Sequence, residues 1–160
     1  MTQCPTSYSR RSLRFDHLDE VTRDADALAE AERAGKLVQL GSWTLGQACA
    51  HVAAFMDFAF DGYPFAVPWF VRLVARRLKN VIVNKPMKPG RKIPGIPGGT
   101  VSTEQLPTAE GIERLRRACA RLELSAPMKP NPLLGPLTPE EWKKLNLRHA
   151  ELHLSFFVAK

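Results

Sequence analysis

Apolar residues recur at steps of three and four along most of this chain, and no series of alternating apolar and polar positions stands out as a set of strands. The first helical stretch runs from about Asp16 to Ala34, with Leu18, Val21, Ala25 and Leu28 as its stripe, Asp16 or Asp19 available near its start and Gly35 to stop it. The second opens at TLGQ, where Thr44 is placed to cap and Gln47 to reach back. It continues through ACAHVAAFMDFAF to Gly62, and Leu45, Ala48, Cys49, Val52, Phe55, Met56 and Ala59 make it apolar around well over half its circumference. Such a helix belongs at the centre of a fold.

A third stretch, roughly Pro68 to Val83, sets Trp69, Phe70, Leu73, Val74 and Leu78 against Arg72, Arg76, Arg77 and Lys79. A membrane-surface helix has this pattern too. The stripe is no wider than core packing needs, so the expectation is a bundle helix with a cationic outer face. The fourth, about Thr108 to Leu124, carries Ile112, Leu115, Cys119 and Leu122. The last begins at TPEEW, with Thr138 as cap, Pro139 at the first helical position and Glu140 and Glu141 in the first turn. Its buried stripe reads Trp142, Leu145, His149, Leu152 and Phe156.

Between these helices, KPMKPGRKIPGIPGGT (residues 85–100) has too many prolines and glycines for regular structure. A loop of that length inside one domain is a candidate lid or substrate rim. SAPMKPNPLLGPL forms a second loop. The expectation is one all-α domain over residues 1–160, most simply an antiparallel bundle with long Pro/Gly-rich loops, and residues 1–14 as an irregular N-terminal arm.

At 160 residues the chain buries a core without help from disulfides or metal, so a metal site here points to chemistry rather than to stability. Cys4, Cys49 and Cys119 are odd in number, widely spaced and without a C-x-x-C, which fits a reducing cytoplasm. SRRSLRF has twin arginines, but DHLDEVTRDADALAE follows where an export signal needs an apolar segment. No apolar run is long enough to span a bilayer, and no membrane partner is expected. Much of the net charge of +7 lies in RLVARRLKN and NKPMKPGRK. Without interleaved aromatics or a nucleic-acid motif, that charge reads as a solvated face or an anion-attracting rim.

Only four histidines occur. His149 and His153 lie four apart on an apolar helical face, so their side chains are neighbours able to converge on one ion. Two nitrogens bind weakly; His51, embedded in the second helix, is the natural third ligand, and three imidazoles with open positions form the arrangement of a catalytic metal, against the competing reading that each histidine is a core or boundary residue bonded to a carbonyl. His17, in the polar FDHLDE entry to the first helix, is read as a surface residue. A zincin motif is excluded because Ala150 follows His149, and Glu151 points away from the shared face. Cys49 and Cys119 are read as small core residues.

The segments RRSLRFDHLDEV, WTLGQACAHVAAF, DGYP and GPLTPEEWKKLNLRHAELHLSFF, with a proline-rich middle, resemble an uncharacterised branch of the DinB/YfiT-like superfamily of metalloenzymes over nearly the whole chain. That resemblance implies a DinB-like four-helix bundle and a divalent ion, zinc or nickel foremost, with iron and copper also compatible with imidazole ligands. Its ligand positions fall on His51, His149 and His153. It also implies transfer of a low-molecular-weight thiol such as bacillithiol or mycothiol, a small-molecule substrate, and homodimers among relatives. Leu154 and Asn131 stand where similar sequences often carry histidine. The expected function is a metal-dependent thiol transferase, with Gln47 and Asn146 as polar groups near the ion, although plain helix solvation competes for Asn146. The alternatives are a metal-dependent hydrolase and a non-catalytic binding or stress-response module.

Overall fold

The computed structural model describes residues 8–93 and 96–160, the side chain of Pro97 excepted. Cys4, the first seven positions of the N-terminal arm and positions 94 and 95 of the long loop lie outside the described residues.

The protein is mostly helical, in the order α1 (Leu18–Arg33), β1 (Leu37–Gln39), α2 (Leu45–Asp61), α3 (Trp69–Arg77), α4 (Lys79–Asn84), α5 (Thr108–Leu124), α6 (Pro139–Leu154) and β2 (Phe157–Ala159). None of the described helices is long and apolar enough to cross a membrane. α1 buries Leu18, Val21, Ala25 and Leu28, the stripe expected from their spacing. His17, exposed as expected, precedes its first turn, and the Glu20 carboxylate accepts from the backbone N–H of both Asp16 and His17. The helix ends in a Schellman motif: Gly35 at φ 67° donates to the Glu32 carbonyl, and Lys36 donates to that of Ala31.

α2 is the central helix, with Leu45, Ala48, Cys49, Val52, Ala53, Met56 and Ala59 all buried. Thr44 caps it by accepting from the Gln47 N–H, yet the reciprocal half of the box is absent, because the Gln47 side chain is used elsewhere. At α6 both halves form: Thr138 Oγ1 accepts from Glu141 N–H, and the Glu141 carboxylate accepts from Thr138 N–H.

α2 and α5 meet at backbone contact. A Cβ placed on Gly46 would collide with the Leu106 carbonyl, and one on Gly111 with the Gly46 carbonyl. Alanine is the better helix former by roughly 0.5–1 kcal/mol, but overpacking against rigid backbone costs about 1–3 kcal/mol, so the clash wins. Gly111→Ala is therefore expected to lower unfolding stability by about 1–2 kcal/mol net, read from the urea midpoint.

Three expectations are corrected. Leu37–Gln39 and Phe157–Ala159 form a two-stranded antiparallel ribbon, with Leu37 opposite Ala159. Each strand is three residues long, too short for a period of two to register. Phe156 consequently lies past the end of α6, where the Arg10 guanidinium covers its ring at 4.2 Å. Second, the single helix expected over Pro68–Val83 is broken at Leu78 (φ −96°, ψ 10°) into α3 and α4. Third, the apolar stripe of α3 faces solvent: Trp69 is 73% exposed and Val74 59%. The inward positions are Ala75 in α3 and Val83 in α4, and Lys79 pairs with Glu141 of α6 at 2.7 Å.

The described part of the N-terminal arm has no regular structure but is firmly attached. Arg11 makes a two-pronged ion pair with Asp24 at 2.7 Å on both arms, and its N–H donates to the Ser155 carbonyl. Further on, the backbone of Phe15 is held from both directions: its N–H donates to Glu151 and its carbonyl accepts from Arg148.

Candidate metal centre

α2 and α6 lie against each other, and that packing brings His51 to His149 and His153. One nitrogen from each of the three rings lies within 4.8 Å of the others. Ring centroids are 5.0 Å apart for His51 and His149, 4.5 Å for His51 and His153, and 4.6 Å for His149 and His153. The two α6 rings face each other through Nε2 at 3.1 Å, the convergence that the i, i+4 spacing makes available. A divalent ion ordinarily sits about 2.0–2.1 Å from each imidazole nitrogen, so donors sharing one are at most about 4.2 Å apart, and a pair as far apart as 4.8 Å would close by a few tenths of an ångström to share it.

The loop before α5 orients the first of these rings. His51 Nδ1 donates to the Val101 carbonyl at 2.9 Å, with the Ser102 carbonyl at 3.3 Å. A neutral imidazole that donates through Nδ1 presents its lone pair at Nε2, and such outer hydrogen bonds are how proteins aim metal-binding histidines. Ser102 adopts φ 56°, the left-handed region that a residue with a side chain seldom occupies, beside the group it serves. Gln47 Nε2 donates to the Thr103 carbonyl at 2.8 Å and ties the same strand of loop to α2.

Aromatic rings wall the site. Trp43 stacks on His153 with centroids 5.2 Å apart and planes 7° from parallel, and its edge meets His51 at 4.8 Å. Phe55 packs against His51 and His149 at 4.7 Å and 4.6 Å. His51 is buried, whereas His149, His153, Trp43 and Phe55 are half-buried.

Burial sets the protonation of all three rings. It pushes His51 down to about 4. It pushes His153 down to about 3, with the neighbouring His51 adding to the effect. His149 lies well below the ordinary histidine range through burial and then the charges of His153 and His51. At neutral pH each ring is therefore uncharged and keeps a lone pair. His149 Nδ1 is buried and has no hydrogen-bond partner among the described residues. Such a group is costly, and it is the ring nitrogen of His149 other than the Nε2 turned to His153.

The two polar candidates are committed otherwise. Gln47 holds the loop, as described. Asn146 is not solvated: it is buried and donates from Nδ2 to the Trp142 carbonyl at 3.0 Å within its own helix. Leu154 is fully buried in the core. Asn131 shapes the second loop by accepting from the N–H groups of Leu133 and Leu134. Burial pushes the Cys49 and Cys119 thiols up to about 12, and neither offers a thiolate. Two clefts, between α1 and α5 and along α2 and α5, are not lined by any of the three histidines.

Sequence patterns did not single out the Val101, Ser102 and Thr103 carbonyls, since a carbonyl has no residue-type signature. Trp43 had one signal, its place next to the cap of the helix that carries His51.

A family model described as "Protein of unknown function (DUF1569)" matches residues 7–160. No curated protein and no solved structure matches the chain.

Proposed function

The chain belongs to this DUF1569 family of proteins of unknown function, and we propose that it is a divalent-metal-dependent enzyme, with the ion held by His51, His149 and His153 on a DinB-like helical bundle. The observation that carries this reading is the convergence of three uncharged imidazoles from two helices, one of them already oriented by a backbone carbonyl. Zinc or nickel is the first expectation, and three imidazoles suit iron and copper as well. A bound ion supplies an open coordination position at which a thiol or a water has a lowered pKa.

The chain's own residues do the positioning. Val101 fixes the His51 ring, Trp43 holds the plane of His153, and Phe55 closes the apolar wall behind His149. The positively charged stretch between residues 72 and 92 concentrates anionic small molecules near the surface. Thiol transfer is the reaction class we favour on the likeness of the histidine-bearing segments to DinB-like sequences. In that reaction, sulfur forms a bond to an electrophilic carbon as the leaving group departs.

Elemental analysis of protein purified without a His-tag tests the site. About one divalent ion per chain is expected, falling to near zero in His51→Ala; full metal content in that variant would sink the proposal. Consumption of a low-molecular-weight thiol with an alkyl halide is expected from the loaded protein. Turnover of a thiol-free ester instead would reassign the reaction to hydrolysis.

A further inference from the structure

α3 turns its apolar face outward. Trp69, Phe70, Leu73 and Val74, adjacent at helical spacing, are 73%, 57%, 54% and 59% exposed, and Leu78 and Val81 continue the patch at 48% and 45%. A contiguous exposed patch of this kind on an ordered helix marks a docking surface rather than scattered surface apolarity.

The charge around it is equally one-sided. From Gly62 to Thr103 there are eight Lys or Arg and no Asp or Glu, so this segment carries +8 and the remainder of the chain −1, which gives the net charge of +7. Lys79 is engaged with Glu141. The other seven cations form no ion pair among the described residues, in contrast to α5, where Arg114, Arg116 and Arg121 all have carboxylate partners.

We propose that this face docks on an anionic phospholipid bilayer, with α3 lying in the headgroup plane, its apolar side chains inserted and the surrounding cations on the lipid phosphates. The two features answer the two components of an interfacial helix: buried apolar area, with Trp69 at the level where amphipathic rings settle, and attraction to a negative surface. A second copy of the chain is a poor occupant, because a two-fold interface would set one cationic face against its duplicate. Nucleic acid would match the cations but leave Leu73 and Val74 unused, since base stacking needs aromatic or guanidinium planes. Docking of this kind makes the protein peripheral, in keeping with described helices that are not long and apolar enough to cross a membrane.

Co-sedimentation of the full chain with vesicles tests the proposal. Binding is expected to vesicles of phosphatidylcholine mixed with phosphatidylserine, to be weak on phosphatidylcholine alone, and to fall as salt is raised. Trp69→Ser/Phe70→Ser/Leu73→Ser is expected to reduce the partition coefficient about tenfold or more at unchanged circular dichroism. Should that variant misfold, Arg77→Gln/Lys85→Gln, which changes only exposed residues, is expected to weaken binding several-fold at low salt. Failure of the wild-type chain to bind the mixed vesicles would overturn the proposal. So would equal binding to both lipid compositions, a lipid-free dimer that the triple substitution dissociates, or displacement from vesicles by single-stranded RNA.

Discussion

Replacing Glu151 with alanine is expected to destabilise the protein by about 3–5 kcal/mol, the largest loss for any single change outside the apolar core. Arg148 and Glu151 are 2% and 5% exposed and form an ion pair at 2.8 Å one turn apart on α6. Between them they hold the N–H and carbonyl of Phe15, and with these the start of α1. The substitution leaves a buried guanidinium that cannot shed its proton, already lacking partners for Nε and Nη1 among the described residues. Arg148→Ala is expected to cost less, because burial already pushes the Glu151 carboxyl upward and a protonated acid is tolerated where an unpaired carboxylate is not. Replacing both with leucine is expected to recover much of the loss, since a buried ion pair contributes little net stability against an apolar pair of similar volume. Urea denaturation of the three variants checks the order. A cost under about 1 kcal/mol for Glu151→Ala would mean that the pair is hydrated and the arm held elsewhere.

That pair also marks a limit of reading the chain as a pattern. In NLRHAELHL the periodicity identifies the face that carries His149, and it assigns Arg148 and Glu151 to other faces, where charged residues are ordinarily solvated. Both are instead covered by the N-terminal arm, a contact between residues more than 130 positions apart in sequence, which no local rule reaches. The same contrast runs through the fold. The ends of α5 were legible from its apolar spacing, and the start of α6 from its cap and Pro139, because these are local chemistry. The orientation of α3 was not, because an amphipathic stripe reports that one face is apolar and not whether that face meets the core. At the site, the meeting of His51 with His149 and His153 was legible from residue type and helical spacing. The second layer was not: the Val101 and Ser102 carbonyls come from a loop whose prolines and glycines announce only irregularity, and Gln47 turned out to anchor that loop.

Adding zinc or nickel to metal-stripped protein is expected to raise its melting temperature substantially, and this links the site to the stability of the whole chain. A ligand that binds only the folded state, present at a thousand times its dissociation constant, stabilises by about 4 kcal/mol. For a chain of this size each kcal/mol shifts the midpoint by about 2–4 °C, so a rise of about 8–16 °C is expected. The stripped site is poor in compensation: three desolvated rings crowd together, and among the described residues the loop tethers His51 alone of the three. Each of His51→Ala, His149→Ala and His153→Ala should abolish the rise, because two imidazoles bind far more weakly than three. The metal-free melting points of His149→Ala and His153→Ala should stay close to that of the wild-type chain, since those rings are half-buried and their loss relieves as much crowding as it removes packing. An increment that survives all three substitutions would place the ion elsewhere on the chain. No increment in the wild-type protein at millimolar metal would leave the three rings as an aromatic cluster, stacked with Trp43 and Phe55 and serving only to close the end of the helix packing.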